Sequence, residues 1–377
     1  MAFFFGAGIS VEANVPNLEQ LTRKISESLQ GNYKENFKLL SKESRNFEDI
    51  LDLIRHLKVI KEFNEEILAE KFKNIDYKDL DRKICSEIIN QINPDALNPE
   101  AEKNDELNLA INHINFIKWL KKAHNNHYPP VEIYTTNYDI FLELAMDYEQ
   151  VPYTDGFLGA YRPFFRDRLI FLNQSETEED IPRSWFRYWK LHGSINWRQK
   201  YQNGKQQIFR TNYVKDLGEA EECLIQPSYF KFAETRLAPF SKLIDRFRRF
   251  LLSGERSLFI NGFGFGDDHL NEIILQSIRE NPNLVITIFD YGEENQISSK
   301  IKEIALDNHN FMVIGPDSYI WQRQINTWEI EAIKESNCID YFEGDYCRLG
   351  KFSVFTSYLK VIAGIVEKNQ EVEEDHR

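Results

Sequence analysis

The sequence predicts an α/β protein built on a doubly wound parallel sheet with a large helical insertion, and three observations carry this prediction. The chain opens with a short apolar run, a glycine turn and a helical pattern, as nucleotide-binding α/β units do. Residues 257–315 repeat this order of strand, turn and helix. Between these two parts, residues 33–127 have the pattern of consecutive amphipathic helices. Strands and helices that alternate in this way are typical of a parallel sheet covered by helices on both faces.

The opening unit begins with Ala2–Phe5, a continuous apolar run of the kind found in buried parallel strands. A turn of sequence GAGIS follows, and Pro16 and Asn17 stand where the next helix is expected to begin. Glycines at such a turn let the backbone approach a phosphate, and Ser10 would add a hydroxyl contact. The alternative is a tight turn that serves packing alone. The candidate nucleotide-contacting residues of this turn are Gly6, Ala7, Gly8 and Ser10.

The remaining elements are predicted from apolar runs for strands and from apolar positions at helical spacing for helices. Strands are predicted over 131–136, 257–262, 284–290 and 311–315 and from Cys223, and the segment 186–197 is predicted to hold a strand that leads into His192-Gly193. A hairpin is predicted at Asn203-Gly204. Helices are predicted over 140–149, 238–254, 270–280, 297–306 and 358–369. The chain then divides into a nucleotide-binding domain (1–32 and 128–317), the helical insertion (33–127) and a C-terminal region (318–377) with an acidic tail.

Composition narrows the class of protein. With 377 residues and 14% aromatic residues, the chain has enough apolar material for a large core. Its net charge of −14 argues against direct binding of duplex DNA, which needs clustered Lys and Arg. No apolar stretch reaches the ~18 residues that indicate a membrane span, and the N-terminal segment lacks the basic residues of a signal peptide. We therefore expect a cytoplasmic protein that does not enter a membrane.

The cysteine pattern bears on metal binding and disulfides. Cys85, Cys223, Cys338 and Cys347 lie far apart and form no C-x-x-C pair. This spacing favours ordinary thiols over a zinc site or a disulfide scaffold. We accordingly expect no bound metal.

Two polar groups follow predicted strands, where ligands bind in open α/β sheets. Asn137 and Asp139 follow the strand 131–136, and an Asn amide can both donate to and accept from a ribose hydroxyl. The alternative is an Asx turn in which Asp139 begins the next helix. His192 follows the strand that starts at residue 186, where an imidazole could act as a general base near neutral pH. The alternative for His192 is a partly buried polar residue without a chemical role.

A second glycine turn, Gly262–Asp268, ends the strand 257–262. Gly262 is a candidate for a second nucleotide contact. Asp290 ends the following strand, where an acidic group can hold the hydroxyls of an adenosine ribose. A turn or helix cap is an equal alternative for Asp290. Two glycine turns together with an Asn and a His at strand ends indicate a ligand-binding site far more specifically than any one of these features does.

The chain resembles the SIR2 (sirtuin) superfamily over residues 1–30 and 130–315. The resemblance rests on four motifs that occur in this order: GAGIS, T-T-N-Y-D, L-H-G-S and a strand followed by a G-x-G turn. Protein deacetylases of that superfamily carry G-I-P-x-F-R after GAGIS and a zinc module. Here the Phe-Arg pair and the zinc cysteines are absent, and a helical insertion precedes the T-T-N-Y-D motif. These departures resemble the SIR2-like NAD hydrolases of bacterial antiphage defence, which include the SIR2 subunit that partners a HerA-type ATPase.

The resemblance implies a Rossmann-like fold and NAD as the substrate, cleaved without a metal to nicotinamide and ADP-ribose. By the matching motifs, Asn137 and His192 would be catalytic, and Asp139 would be the acidic residue of its motif. Gly6, Ala7, Gly8 and Ser10 would form the pyrophosphate loop, and Gly262 would belong to the second nucleotide loop. A deacylase or ADP-ribosyltransferase and a non-catalytic nucleotide-binding subunit remain as alternatives.

The resemblance also implies a homo-oligomer that docks on a HerA-type ATPase. The C-terminal region is rich in aromatic residues, which are common at interfaces, although core packing is the alternative. These aromatic residues are Tyr319, Trp321, Trp328, Tyr341, Phe342 and Tyr346.

Overall fold

A large, mostly parallel sheet forms the centre of the protein in the computed structural model. The structure describes residues 1–42, 46–93, 108–124, 130–171, 182, 184–202, 204–211, 222–225 and 239–365. Within these residues the strands are β1 (Ala2–Phe5), β2 (Glu132–Thr135), β3 (Tyr153–Thr154), β4 (Phe157–Leu158), β5 (Phe164–Phe165), β6 (Phe186–Lys190), β7 (Gly193–Gln202), β8 (Lys205–Arg210), β9 (Glu222–Ile225), β10 (Arg256–Asn261), β11 (Leu284–Phe289), β12 (Phe311–Ile314), β13 (Ser318–Trp321), β14 (Gln324–Thr327), β15 (Phe342–Glu343) and β16 (Tyr346–Cys347).

The helices of the described residues lie mainly between these strands. They are α1 (Leu18–Ser28), α2 (Gly31–Leu40), α3 (Phe47–Asn64), α4 (Glu70–Lys73), α5 (Tyr77–Ile92), α6 (Ile111–Ala123), α7 (Phe141–Tyr148), α8 (Arg168–Phe171), α9 (Phe240–Leu252), α10 (Asp268–Glu280), α11 (Ser299–Asp307), α12 (Ile330–Lys334) and α13 (Phe352–Ile362), with 3-10 turns at Ala7–Ala13, Glu65–Ile67 and Asn337–Tyr341. Asn17 caps α1 as predicted, since its side chain accepts a hydrogen bond from the Gln20 amide.

The large sheet has the strand order β14-β13-β12-β11-β10-β1-β2-β6-β3. Strand β13 pairs antiparallel with both of its neighbours, β12 and β14. The strands from β12 to β3 in this order run parallel to one another. Strand β1 lies between β2 and β10, so the chain proceeds outward from β1 in both directions. This order makes β1 the topological switch point of a doubly wound sheet.

Helices cover both faces of the sheet, and the phenylalanines of β1 alternate between them. Phe4 packs with the core of α9, α10 and α11, whereas Phe3 and Phe5 pack with α6, α7 and α13 on the other face. The predicted α/β class with a doubly wound, Rossmann-like parallel sheet is therefore confirmed.

A second, antiparallel sheet of order β4-β5-β8-β7-β9 separates from the large one at His192. The strand that the sequence predicts from Phe186 into His192-Gly193 is β6 of the large sheet, and β7 begins at Gly193 in the small sheet. Gly193 permits this change of direction because its φ is +85°, and a Cβ there would lie 2.0 Å from the Leu224 carbonyl oxygen. The predicted hairpin joins β7 to β8 by pairing Gln202 with Lys205, and Asn203 lies outside the described residues.

Most of the insertion has its own core, formed by α2, α3 and α5 together with α1. Helix α6 instead packs on the large sheet beside α13. The boundaries assigned to the insertion and to the flanking domains stay predictions. The loop-like stretch 94–105 and the acidic tail 371–377 lie outside the described residues.

The C-terminal region adds β13 and β14 to the sheet and lays α13 across one face. Helix α13 begins six residues before the helix predicted from residue 358. Trp328 packs on both Tyr319 and Phe342, and Tyr341 packs on Tyr358. Trp321 and Tyr346 are exposed. In the parts of the chain that the structure describes, no helix combines the length and apolar character needed to cross a membrane.

Candidate active site

A cavity of about 500 Å³ opens at the carboxyl ends of β1, β2, β6 and β10. Parallel strands that diverge from a switch point leave a crevice there, which is where open α/β sheets bind ligands. The loops after these four strands carry the sequence-predicted groups. Ala7, Ser10, Asn137, Asp139, His192 and Gly262 all line the cavity.

The two glycine turns pack directly against each other, backbone to backbone. A Cβ at Gly6 would lie 2.4 Å from the Gly262 carbonyl oxygen, and a Cβ at Gly8 would lie 2.6 Å from the Gly262 Cα. The Gly8 amide donates to the Gly262 carbonyl oxygen at 2.9 Å. Gly6 and Gly8 thus serve the close packing of the two turns, whereas Ala7 and Ser10 supply the cavity wall.

Residues of the second glycine turn form part of the cavity wall. The Phe263 and Phe265 rings contact each other, and Phe263 also packs on Phe4 of β1. Phe265 has a φ of +54°, an unfavourable backbone conformation that this packing and its hydrogen bonds hold in place. Among the described residues, no atom lies within 4 Å of a Cβ placed at Gly264 or Gly266, and both glycines line the cavity. The turn therefore leaves room for a ligand to approach the backbone.

Two hydrogen bonds hold Asn137, yet one of its polar atoms lacks a partner among the described residues. Its Nδ2 donates to the Ser10 hydroxyl at 3.0 Å, and its backbone amide donates to the Thr135 hydroxyl at 3.0 Å. Its Oδ1 is buried and has no hydrogen-bond partner within the described part of the chain. Buried acceptors without a partner are rare in folded proteins, so Oδ1 is an acceptor suited to a ligand hydroxyl or a water.

His192 enters the cavity at the junction of the two sheets and contacts a buried carboxylate. Its Nε2 lies 2.9 Å from Oδ2 of Asp267, and both side chains are buried. The Tyr138 ring lies 6.5 Å from the imidazole, measured between centroids. Asp267 was not among the candidates chosen from the sequence, although it stands inside the second glycine turn.

Asp139 lines the cavity and also organises the chain that carries Asn137. Its Oδ1 accepts from the Phe141 amide at 3.2 Å, which starts helix α7, as the Asx-turn alternative proposes. Its carbonyl oxygen accepts from Nζ of Lys190, which also donates to Glu143 at 2.8 Å. This buried network ties the end of β6 to the loop after β2.

The helical insertion supplies a further part of the cavity wall through the first turn of α3. Glu48 Oε1 accepts from the Tyr138 hydroxyl at 2.8 Å, and both residues line the cavity. Burial raises the pKa of Tyr138 well above its ordinary value, and the nearby Glu48 carboxylate raises it further. Tyr138 therefore stays a neutral donor. Sequence reasoning missed Glu48 because nothing local connects an insertion helix to a motif 90 residues away.

The cavity is acidic. Four carboxylates line it, and among its described lining residues there is neither a Lys nor an Arg. These carboxylates belong to Glu48, Asp49, Asp139 and Asp267. Such a cavity favours a ligand portion that carries or develops positive charge.

The structure does not bring Asp290 to the cavity wall. Its carboxylate accepts from the backbone amide of Ser298 at 2.7 Å and from the Ser298 hydroxyl at 3.1 Å. Burial raises the pKa of Asp290, although these hydrogen bonds act in the opposite direction. Asp290 thus fits the capping alternative, since it holds the chain that leads into α11. Within the described residues, no group of three or more His, Cys, Asp or Glu side chains is arranged to hold a metal.

A comparison with known families bears on the class of this site. Residues 131–314 match the family model of the SIR2-like domain. The match supports a place in the SIR2-like superfamily and extends from β2 to β12, so that Asn137, His192 and Asp267 fall within the matched residues. Such domains bind NAD, which indicates an NAD-utilising enzyme. A comparison with curated proteins yields no match.

Proposed function

We propose that the protein is an NAD⁺ glycohydrolase that releases nicotinamide and ADP-ribose. The observation that carries this proposal is the unpartnered, buried Asn137 Oδ1 in a cavity that also contains His192. An acceptor of this kind can hold a ribose hydroxyl or a water beside the bond to be cleaved. The missing zinc cysteines and Phe-Arg pair favour water over a protein acceptor.

The chemistry requires stabilisation of positive charge. The bond between ribose C1′ and the nicotinamide nitrogen breaks, and its electron pair goes to that nitrogen, which loses its positive charge. The sugar passes through an oxocarbenium-like state as the water oxygen bonds to C1′. The carboxylates of the cavity wall favour both the cationic nicotinamide and the developing sugar cation. His192 accepts the proton that the water loses and returns it to solvent.

The NAD pyrophosphate would meet backbone rather than cationic side chains. Ala7 and Ser10 of the first turn and Gly264 and Gly266 of the second turn line the cavity, with space beside both glycines. Backbone amides at glycine-rich turns can accommodate a phosphate without Lys or Arg. The acidic wall disfavours additional phosphate groups on the substrate.

Purified protein incubated with NAD⁺ should release nicotinamide and ADP-ribose in equal amounts without an acetylated peptide. Chromatographic separation of the products provides the measurement, and the His192→Ala variant provides a control that should lose turnover because it lacks the proton acceptor. Nicotinamide release that depends on an acetylated peptide would indicate a deacylase. Tight NAD⁺ binding without any turnover, including with the assembled partner present, would indicate a nucleotide-binding subunit.

We further propose that the protein acts as a homo-oligomer with a HerA-type ATPase, in antiphage defence by NAD depletion. The sequence resemblance supports this assembly, and an unrestrained NAD hydrolase would deplete its own cell, which favours a regulated complex. Strand β14 is at an edge of the sheet as far as the structure describes it, and Trp321 and Ile325 beside this edge are exposed. Exposed apolar side chains at a sheet edge are suited to an interface between copies.

Light scattering at micromolar concentration should therefore give a mass above that of a single chain. Replacing both Trp321 and Ile325 by serine should shift the mass toward the monomer, because it removes apolar area at the edge. Val59→Ser, at a more exposed apolar position on α3, is the control and should leave the mass unchanged. A monomeric wild type whose mass does not change on addition of the ATPase would contradict the proposed assembly.

A further inference from the structure

We propose that Asp267 is a positioning residue that fixes the ring orientation of His192 and the nitrogen that carries its proton. This role rests on the proposed function, because it matters only if His192 accepts a proton during turnover. Asp267 itself would not touch the reacting atoms in this role. It would act through the imidazole.

The two carboxylate oxygens of Asp267 have separate tasks. Oδ1 caps helix α10 by accepting from the backbone amides of His269 and Leu270, each at 3.1 Å. Oδ2 contacts Nε2 of His192 at 2.9 Å. The cap fixes the carboxylate to the first turn of a 13-residue helix. The cap therefore also restrains the second oxygen, so that the carboxylate loses little conformational freedom when it contacts the imidazole.

A helix cap alone does not account for this arrangement. One side-chain oxygen satisfies a cap, and Ser or Asn caps as well as Asp does. Burying a carboxylate is costly unless each oxygen has a hydrogen-bonding partner. Here the second oxygen finds its partner in His192, which comes from the junction of β6 and β7 rather than from α10. The pair therefore links the second glycine turn to the residue expected to move a proton.

The contact also determines which tautomer the neutral imidazole adopts. A carboxylate can only accept, so it holds the proton on Nε2 and leaves the lone pair on Nδ1. The proton of the attacking water would then go to Nδ1, and the carboxylate would stabilise the resulting imidazolium while keeping its own charge. An amide in place of the carboxylate could donate to Nε2, which would move the proton to Nδ1 and remove the base.

Two substitutions separate this role from capping. Asp267→Asn keeps an oxygen for the α10 cap and presents an NH₂ group to His192. Asp267→Ser also caps the helix but is too short to reach the imidazole. Both variants should unfold near the wild-type temperature with little change in KM. Asp267→Ser should lower kcat about 100-fold, because the base is no longer oriented, and Asp267→Asn should lower it about 10⁴-fold, because the amide places the proton on the wrong nitrogen. Asp268→Asn, at the exposed neighbouring position, should retain wild-type kcat.

The position of the proton can be measured without any substrate. In protein labelled with ¹⁵N histidine at pH 8.5, the wild type should show His192 protonated at Nε2, and Asp267→Asn should show the proton at Nδ1. Wild-type kcat in both Asp267 variants, or an unchanged tautomer in Asp267→Asn, would overturn the proposal. If the wild type turns over no NAD⁺ but the tautomer responds as expected, the proposed function fails while the positioning of His192 by Asp267 stands.

Discussion

Replacing Asn137 by alanine should lower the rate of nicotinamide release by about 100-fold or more, because misplacement of reacting groups has effects of this size. The variant loses the Oδ1 acceptor that faces no protein donor, together with the hydrogen bond to Ser10. Removing a polar group that is already without a full set of partners costs little folding stability. Nicotinamide release and the thermal unfolding temperature, measured on the same preparation, test both expectations.

Asn196 provides the matched control for this experiment. Its side chain is as buried as that of Asn137, with 8% of each residue exposed, and its Oδ1 likewise lacks a partner among the described residues. Asn196 does not line the cavity. Asn196→Ala should therefore retain turnover in proportion to the folded fraction. An Asn137→Ala protein with wild-type activity would mean that the cavity has been assigned the wrong chemistry.

The parts of the site that the sequence predicted are those that follow from local pattern. An apolar strand that ends in a polar or glycine-rich segment places that segment at the edge of a parallel sheet. This rule suffices to bring Ser10, Asn137, His192 and Gly262 together, because β1, β2, β6 and β10 are neighbours in the sheet. The same rule predicts Asp290 near the ligand, but Asp290 does not line this cavity. Its strand, β11, lies one position beyond β10, and Ser298 already occupies its carboxylate.

The parts that the sequence did not predict depend on distant contacts. Glu48 belongs to a helix with an ordinary amphipathic pattern, and only the packing of the insertion brings it to Tyr138. Asp267 has the appearance of a helix cap, which it also is, and its contact with His192 arises from the break between β6 and β7. The sequence predicts the end of the first strand at His192, but it does not show that β7 joins a second sheet. Gly193, with its positive φ, is the one local sign of the change in direction.

Glu132 shows most clearly how a distant partner decides the role of a residue. It occupies the first position of β2, a strand whose residues are all buried and in which a carboxylate is not expected. Its oxygens accept from Arg246 of α9, from Nε1 of Trp189 at 3.0 Å and from the Tyr134 hydroxyl. Burial by itself would raise the pKa of Glu132, but the Arg246 charge and these hydrogen bonds outweigh burial and lower it. The carboxylate is thus the common acceptor that joins α9 to the strand leading to Asn137.

We expect Glu132→Ala to lower the free energy of unfolding by about 3–5 kcal/mol, because it leaves a buried guanidinium without its counter-charge. Urea unfolding of the purified variant measures this loss, and Glu132→Gln, which keeps an oxygen acceptor but not the charge, should fall between it and the wild type. Glu331→Ala removes one partner of an exposed pair with Lys334, where the change should stay within about 1 kcal/mol. Equal unfolding midpoints for Glu132→Ala and Glu331→Ala would show that the buried network contributes no more than a surface pair.

The pH dependence of unfolding tests whether the charged form of Glu132 stabilises the folded protein. Because the folded protein lowers the pKa of Glu132, the charged form is favoured by folding. Its contribution is complete above the unfolded value of about 4.3 and disappears as the pH falls through the lower folded value. The stability difference between wild type and Glu132→Gln should therefore be constant from pH 8 to 5 and shrink below about pH 4. A difference that grew on acidification would mean that Glu132 is protonated in the folded protein and that Arg246 is stabilised by other groups.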